Sequence, residues 1–139
     1  MNKRITPKKY NKPHSTIATL LYINSGIKNI DFYTNAFGAI ELRRWSNDDG
    51  SIHVAELSIE GVMFHLHEEK ANAGQFSPAR INGTTTAIGL FVEDMDAVMQ
   101  QTIAAGATEI TASQDYDYGY RQGEIKDPFG HRWIIEKKI

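Results

Sequence analysis

The 139-residue sequence contains no cysteine, which excludes disulfide bonds, thiolate metal ligands and a thiol nucleophile. It has no run of about 20 apolar residues of the kind that spans a membrane. It also has no glycine-rich nucleotide fingerprint, no HExxH zinc motif and no serine or threonine in a recognisable nucleophile context. The chain begins with charges that no apolar segment follows, so it shows no secretory signal. We therefore expect a cytoplasmic protein with no membrane partner.

The formal net charge is only −2, but it is unevenly distributed. Residues 1–14 contain five lysines and arginines and no acidic residue, which leaves ten basic and 17 acidic residues in the remainder. An acidic body repels phosphate, so we expect no nucleic-acid partner and interpret residues 1–14 as a basic arm that is mobile or lies on a partner. With 41% hydrophobic residues, residues 15–139 can form a single packed domain.

An internal repeat is the most informative pattern in the chain. The segment Leu21–Ile23 corresponds to Leu90–Val92, and Gly61 corresponds to Gly130, each at an offset of 69 residues. A repeat with a fixed offset indicates one supersecondary unit present twice. The two copies cover residues 15–68 and 84–139, and the loop 69–83 joins them.

Each copy predicts a strand, a helix and three further strands. The predicted strands are 15–23, 40–46, 52–59 and 62–67 in the first copy, and 85–92, 108–113, 119–126 and 131–137 in the second. The helices follow polar N-caps, Asn24 or Ser25 in the first copy and Asp94 in the second. Their apolar positions are Ile27, Ile30, Tyr33 and Phe37, and Met95, Val98, Met99, Thr102 and Ile103. Turn residues join the strands, for example Glu60-Gly61.

The resulting pattern is βαβββ repeated, which belongs to the α+β class. One such unit is too small to bury both faces of its helix and sheet. Two units side by side predict a curved eight-stranded mixed sheet with the helices outside and a cavity inside. The sequence leaves open whether the halves pair within one chain or swap between subunits.

Five segments resemble one known family. They are "IDFYTNAFGAIELRRW", "DGSIHVAELSIEG", "SPARINGTT", "LFVEDMDAVMQQTIAAGAT" and "DYGYRQGEIKDPFGHRWII". In this order they are similar to the PhnB-like branch of the vicinal oxygen chelate superfamily, which includes glyoxalases, bleomycin-resistance proteins and extradiol dioxygenases. The resemblance implies the paired βαβββ fold and a homodimer.

Enzymes of this superfamily hold a divalent metal with four side chains, which the first and last strands of each repeat supply. The resemblance places these positions at Ala18, His65, Ala87 and Ile134. Three hydrocarbon side chains cannot bind a cation, so we expect no cofactor. Side chains two apart share a strand face, so the resemblance leaves one alternative, a relocated divalent-metal site of His65, His67 and Glu136.

Several other residues are candidates for a ligand cavity. The complete set is Trp45, His53, His65, His67, Phe76, Tyr118, Tyr120, Arg121, Glu124 and Glu136. His53 lies in the cavity or in a subunit contact, and the aromatic residues form either cavity walls or core. Arg121 either holds a carboxylate or phosphonate or pairs with an acidic residue such as Asp117 or Glu124. We expect His131 to be structural and to bond across its turn.

Three functions are compatible with these patterns. The first is a metal-free protein that binds an unidentified small molecule in the sheet cavity as a dimer, and the acidic body would suit a cationic ligand. The second is a metal-dependent lyase, isomerase or dioxygenase with relocated ligands. The third is a structural dimer whose cavity is vestigial. The three missing metal ligands favour the first over an enzyme.

Overall fold

The structure is a computed structural model that describes residues 15–139; the predicted basic arm, residues 1–14, lies outside this range. Its elements, in chain order, are β1 (Thr19–Ile23), α1 (Asp31–Phe37), β2 (Ile40–Ser46), β3 (Ile52–Ile59), β4 (Val62–Glu68), α2 (Pro78–Ile81), β5 (Ala87–Phe91), α3 (Met95–Ala105), β6 (Thr108–Tyr116), β7 (Tyr120–Lys126) and β8 (Arg132–Lys138). This order contains both predicted βαβββ units, so the α+β class is confirmed.

Within residues 15–139, no helix is long and apolar enough to cross a membrane.

The strands form two sheets with the same internal order. The first has the order β1-β4-β3-β2 and the second the order β5-β8-β7-β6. In each sheet the first pair is parallel and the other pairs are antiparallel. The mixed pairing agrees with the prediction, but the eight strands are hydrogen-bonded as two sheets of four and not as one continuous sheet.

Helices α1 and α3 cover one face of the sheets and pack against each other. The buried aromatic residues of the shared core join the two units. Tyr33 of α1 lies 5.3 Å from Phe64 in the first sheet and 6.0 Å from Trp133 in the second, measured between ring centroids. The opposite face of each sheet is left without a helix, and that face carries the candidate site.

The start of the first helix differs from the prediction. The N-cap assignment to Asn24 or Ser25 is wrong, because α1 begins at Asp31, whose N–H donates to Asn29 Oδ1 at 2.8 Å. The Ile27 carbonyl instead accepts a bond of 2.7 Å from the N–H of Ile52, so this segment is bound to β3. In α3 the predicted cap is confirmed, since the Asp94 carboxylate accepts from the N–H of Ala97 at 3.1 Å.

The joining segment 69–83 is more ordered than its lack of periodicity suggests. It contains α2, and Ser77 caps this helix by accepting from the N–H of Arg80. The buried Glu69 carboxylate accepts from Arg80 Nε at 3.0 Å and from the N–H of Ser77 at 3.0 Å. These bonds, that of Arg80 first, lower the pKa of Glu69 to about 2.

Candidate functional site

Each sheet exposes one face, which we call the first and the second open face. In the first sheet the buried Leu21, Leu57 and Leu66 point toward the helices, so the alternate positions point away from them. The first open face consists of Leu20, Tyr22, Trp45, Glu56, His65 and His67. By the same pairing, the second includes Phe91, Tyr120, Gln122, Glu124, Ile134 and Glu136.

Two histidines are stacked at the centre of the first open face. The rings of His65 and His67 are nearly parallel, at an interplanar angle of 4° and a centroid distance of 5.5 Å. His65 Nδ1 lies 3.4 Å from His67 Nε2, and its Nε2 lies 3.9 Å from the carboxylate of Glu56. Sequence reasoning identified both histidines, and the structure brings them together.

The electrostatic environment lowers the pKa of His67. Burial is the largest cause, and the charges of His65 and His53 add to it, whereas Glu56 opposes it. The lowered pKa favours the neutral form of His67, which can accept a hydrogen bond or a proton.

Trp45 and His53 differ in their position relative to this face. The Trp45 ring is 40% exposed and has the Arg43 guanidinium 4.4 Å from its centroid, so it is a flat aromatic wall with a cation already on it. His53 shares the helix-covered side of β3 with the buried Ala55. Its Nδ1 lies 3.4 Å from the carboxylate of Glu68. His53 therefore does not belong to the first open face.

A chain of hydrogen bonds holds the carboxylate of Glu136 on the second open face. Gln122 Nε2 donates to Glu136 Oε1 at 2.8 Å, and the Tyr118 hydroxyl donates to the Gln122 carbonyl oxygen. The other carboxylate oxygen lies over Gly89, where a Cβ atom would overlap it. Gly89 pairs in register with Ile134. The Glu136 carboxylate is therefore directed toward the level of Ile134, the position that the resemblance assigns to a metal ligand.

Aromatic rings surround this carboxylate. Tyr116 and Tyr118 are stacked at 5.2 Å, Tyr118 and Tyr120 lie 6.0 Å apart, and Tyr120 lies 6.0 Å from Phe91. Phe91 is 55% exposed and Tyr118 is 59% exposed. Tyr118 is therefore exposed and Tyr120 is half-buried, so neither belongs to the buried core.

Arg121 and Glu124 have partners that differ from those expected. Arg121 donates to Asp115 at 3.0 Å and to Asp96 of α3 at 3.1 Å. It therefore pairs with acidic residues, as the second alternative expected, but these are not Asp117 or Glu124. It lies on the helix-covered side, away from both open faces. Glu124 is on the second open face, where Arg132 donates to it at 2.6 Å.

Phe76 and His131 lie at the junction of the two units. Phe76 is 44% exposed and lines a cavity of 240 Å³ together with Tyr22, Ile88 and His131. The buried His131 has Nε2 2.7 Å from the carbonyl oxygen of Tyr22 in the other unit. The backbone N–H of His131 donates to the carboxylate of Asp127. His131 therefore bonds within its turn, as expected, and also links the two units.

The metal positions implied by the resemblance do not fit a four-ligand centre, because only His65 among them has a donor atom. Within residues 15–139, no group of three or more histidine or acidic side chains is arranged to hold a metal ion. His65 and His67 belong to the first sheet and Glu136 to the second, where it bonds to Gln122. The structure does not bring the alternative set together in one protomer.

Sequence reasoning missed three parts of the site: Glu56, Gln122 and Phe91. Glu56 was not among the predicted cavity residues. The predicted Glu60-Gly61 turn could have identified it, because a two-residue turn sets the register that places Glu56 opposite His65. Gln122 and Phe91 lie beside Glu136 because β7 and β5 both pair with β8. No single turn in the sequence specifies these two pairings together.

Comparison with known proteins agrees with the fold. Residues 16–135 match the model of the Glyoxalase/Bleomycin resistance protein/Dioxygenase superfamily. An uncharacterized protein of Mycobacterium bovis is 36% identical over 122 residues, which cover 86% of this chain and 80% of that protein.

Two solved structures with this fold are also similar. TioX from Micromonospora sp. ML1 has a TM-score of 0.65 at 23% identity and covers 90% of this chain and 97% of its own. The fosfomycin resistance protein FosX from Listeria monocytogenes has a TM-score of 0.66 at 16% identity, with 92% and 96% covered. The chain belongs to the glyoxalase/bleomycin resistance/dioxygenase superfamily, also called the vicinal oxygen chelate superfamily.

Proposed function

We propose that the protein binds a small organic molecule on the open faces of its sheets without a metal ion, as a homodimer. The observation that carries this proposal is the chemistry of the open faces. Where metallated relatives need four donors, this chain has one imidazole and three hydrocarbon side chains. Around these positions lie exposed aromatic rings and oriented polar groups, which is the composition of a ligand site.

The exposed apolar side chains support the dimer. Ile40 is 63% exposed, Leu42 is 48% exposed and Phe91 is 55% exposed. Such residues on a sheet face indicate a surface that a partner or ligand covers. A second copy placed over an open face would enclose the ligand between two sheets.

The relatives support a role in handling small molecules. The Listeria neighbour is named a fosfomycin resistance protein, and this name refers to that neighbour and to a small antibiotic. Fold likeness alone does not transfer activity, so the proposal rests on the open faces. Assignment to the PhnB-like branch rests on the sequence motifs, and a cytoplasmic location rests on the absence of cysteine.

A thermal-shift panel of cationic, neutral and anionic aromatic compounds tests ligand binding, because a ligand that binds only the native state raises the melting temperature. We expect at least one charge class to raise it in metal-free protein. Sedimentation analysis tests the dimer. If no compound shifts the transition and no ligand protects the open faces from hydrogen exchange, the structural-dimer alternative replaces this proposal.

The stacked histidines favour a metal-dependent lyase, isomerase or dioxygenase as the second candidate. His65 and His67 supply two imidazoles, and a partner subunit would have to bring Glu136 to them. Elemental analysis after purification without chelators distinguishes the candidates. One equivalent of zinc, nickel, manganese or iron that is lost in His65→Gln would establish the metalloprotein and overturn the proposal.

A further inference from the structure

The second open face carries two carboxylates, Glu124 and Glu136, which differ in whether a basic side chain pairs with them. Glu124 is neutralised by Arg132, whose Nε lies 2.6 Å away. Glu136 has no ion pair with a lysine or arginine among residues 15–139, and its bonded neighbour is the neutral amide of Gln122. Lys138 shares this face but lies two residues beyond Glu136, in register with Tyr120. The half-buried Glu136 is therefore the carboxylate of this face that has no ion-pair partner among the described residues.

The geometry around Glu136 is held in advance of any ligand. Tyr118 fixes Gln122, and Gln122 fixes one carboxylate oxygen. The second oxygen lies over Gly89, which leaves room for it because glycine has no side chain. A carboxylate held by one oxygen presents the other to a charged partner at little further entropic cost.

The neighbouring rings favour a cation. Phe91 pairs in register with Glu136, and the row from Phe91 through Tyr120 and Tyr118 to Tyr116 continues around the carboxylate. Aromatic faces attract cations, and ammonium groups are recognised where rings and a carboxylate converge. Desolvation is the largest cause of the raised pKa of Tyr118, and the charges of Tyr116, Asp117 and Glu136 add to it.

We propose that this constellation, Glu136 with its row of aromatic rings, is a binding site for an organic ammonium cation. The assignment rests on the proposed small-molecule binding and names its ligand class. The ammonium group contacts the free oxygen of Glu136, and its apolar substituents lie against Phe91 and Tyr118. The charge of the chain agrees, since residues 15–139 contain more acidic than basic residues.

Calorimetric titration of the full chain with benzyltrimethylammonium chloride tests the site. Benzyl alcohol and benzenesulfonate serve as neutral and anionic probes of similar size. We expect the cation to bind the wild type at least about tenfold more tightly than either other probe, since an ion pair and cation–π contacts together are worth about one decade of affinity.

Two variants and one control locate the binding. Glu136→Gln keeps the bond to Gln122 possible and removes the charge, so we expect about tenfold weaker binding of the cation. Tyr118→Leu should weaken it severalfold. Glu109→Gln is the matched control, because Glu109 pairs with the buried Ile125 on the helix-covered side and its loss should change affinity by less than about twofold.

The outcomes separate this inference from the proposed function. Equal cation affinity in the wild type and Glu136→Gln overturns the site. Tighter binding of benzyl alcohol or benzenesulfonate overturns the ligand class and leaves small-molecule binding intact. Failure of all three probes while another compound of the thermal-shift panel binds likewise refutes the ammonium site alone.

Discussion

Tyr33 of the first unit donates its hydroxyl to Asp127 of the second unit at 2.6 Å, and both residues are buried. Asp127 also accepts from Trp133 Nε1 at 3.0 Å and from the N–H groups of Phe129 and His131 at 2.9 and 3.0 Å. One carboxylate thus binds the turn before β8, the central tryptophan and the helix of the other unit. This carboxylate therefore joins the two units through buried hydrogen bonds.

Loss of this bond should destabilise the fold. A hydrogen bond to a charged group contributes about 1.5–3 kcal/mol, and we expect Tyr33→Phe to lower the free energy of unfolding by that amount. Asp127→Asn should cost more, at least about 3 kcal/mol. The amide NH2 group of asparagine would face the buried donors that now donate to the second carboxylate oxygen. Urea denaturation measures both changes. Tyr120→Phe is the control, with a change within about 0.5 kcal/mol, and an equal loss in this control would contradict the assignment.

The ionisation of Tyr33 should be coupled to unfolding at alkaline pH. Burial, followed by the charge of Asp127 and the bond to it, raises the pKa of Tyr33 well above its usual value. The folded pKa is raised, so the stabilisation is complete below the unfolded pKa of about 10 and is lost as the pH rises above it. In ultraviolet titration, one tyrosine should ionise only as native circular dichroism is lost. Tyr33→Phe should lack this step.

The joining segment should lose stability in acid. The pKa of Glu69 is lowered to about 2, so its contribution is complete above the unfolded pKa of about 4.3 and disappears as the pH falls toward 2. The difference in unfolding free energy between wild type and Glu69→Gln should therefore be present at pH 7 and shrink below about pH 4.5. Urea denaturation across this range checks it, and a difference independent of pH would refute the role of the charge.

Two strand glycines should respond differently to alanine. In Gly89→Ala the new Cβ meets the carboxylate of Glu136, which can turn away by giving up its bond to Gln122, so stability should fall by about 1 kcal/mol. In Gly123→Ala the Cβ meets Met99 Cε at 2.8 Å and the backbone of Ser113 at 3.2 Å, at a cost of about 1–3 kcal/mol. Thermal unfolding compares the two. The first variant should nevertheless weaken binding of benzyltrimethylammonium, because it displaces the carboxylate.

The stacked histidines should titrate as a coupled pair. His65 is the second cause, after burial, of the lowered pKa of His67. Replacing His65 with glutamine removes that charge, and we expect the pKa of His67 to rise part of the way toward its usual value. NMR titration of the ring nitrogens measures it. An unchanged pKa would mean that burial alone sets the value.

Local patterns explain why so much of the fold was predictable. Turn residues such as Glu60-Gly61 and the period of apolar residues located every strand, since backbone preference and side-chain alternation act over a few positions. The same turn specified that Glu56 faces His65. The start of α1 was not predictable, because the bond from Ile52 to the Ile27 carbonyl joins segments far apart in the chain.

The partners of Arg121 were also beyond local reasoning. The pairing of β6 with β7 places Asp115 opposite Arg121, and this register depends on how many residues the loop between the two strands leaves unpaired. Asp96 reaches Arg121 only because α3 packs on that side of the sheet.

The sequence by itself determined the doubled βαβββ unit and the hydrocarbon side chains at three of the four expected metal positions, because both are properties of residue type and spacing. Tertiary structure decided that the strands divide into two sheets, that the histidine pair and Glu136 lie on different faces, and that Glu136 carries an unpaired charge. These features depend on how distant segments pack, and packing energy is a property of the whole fold rather than of any stretch of chain.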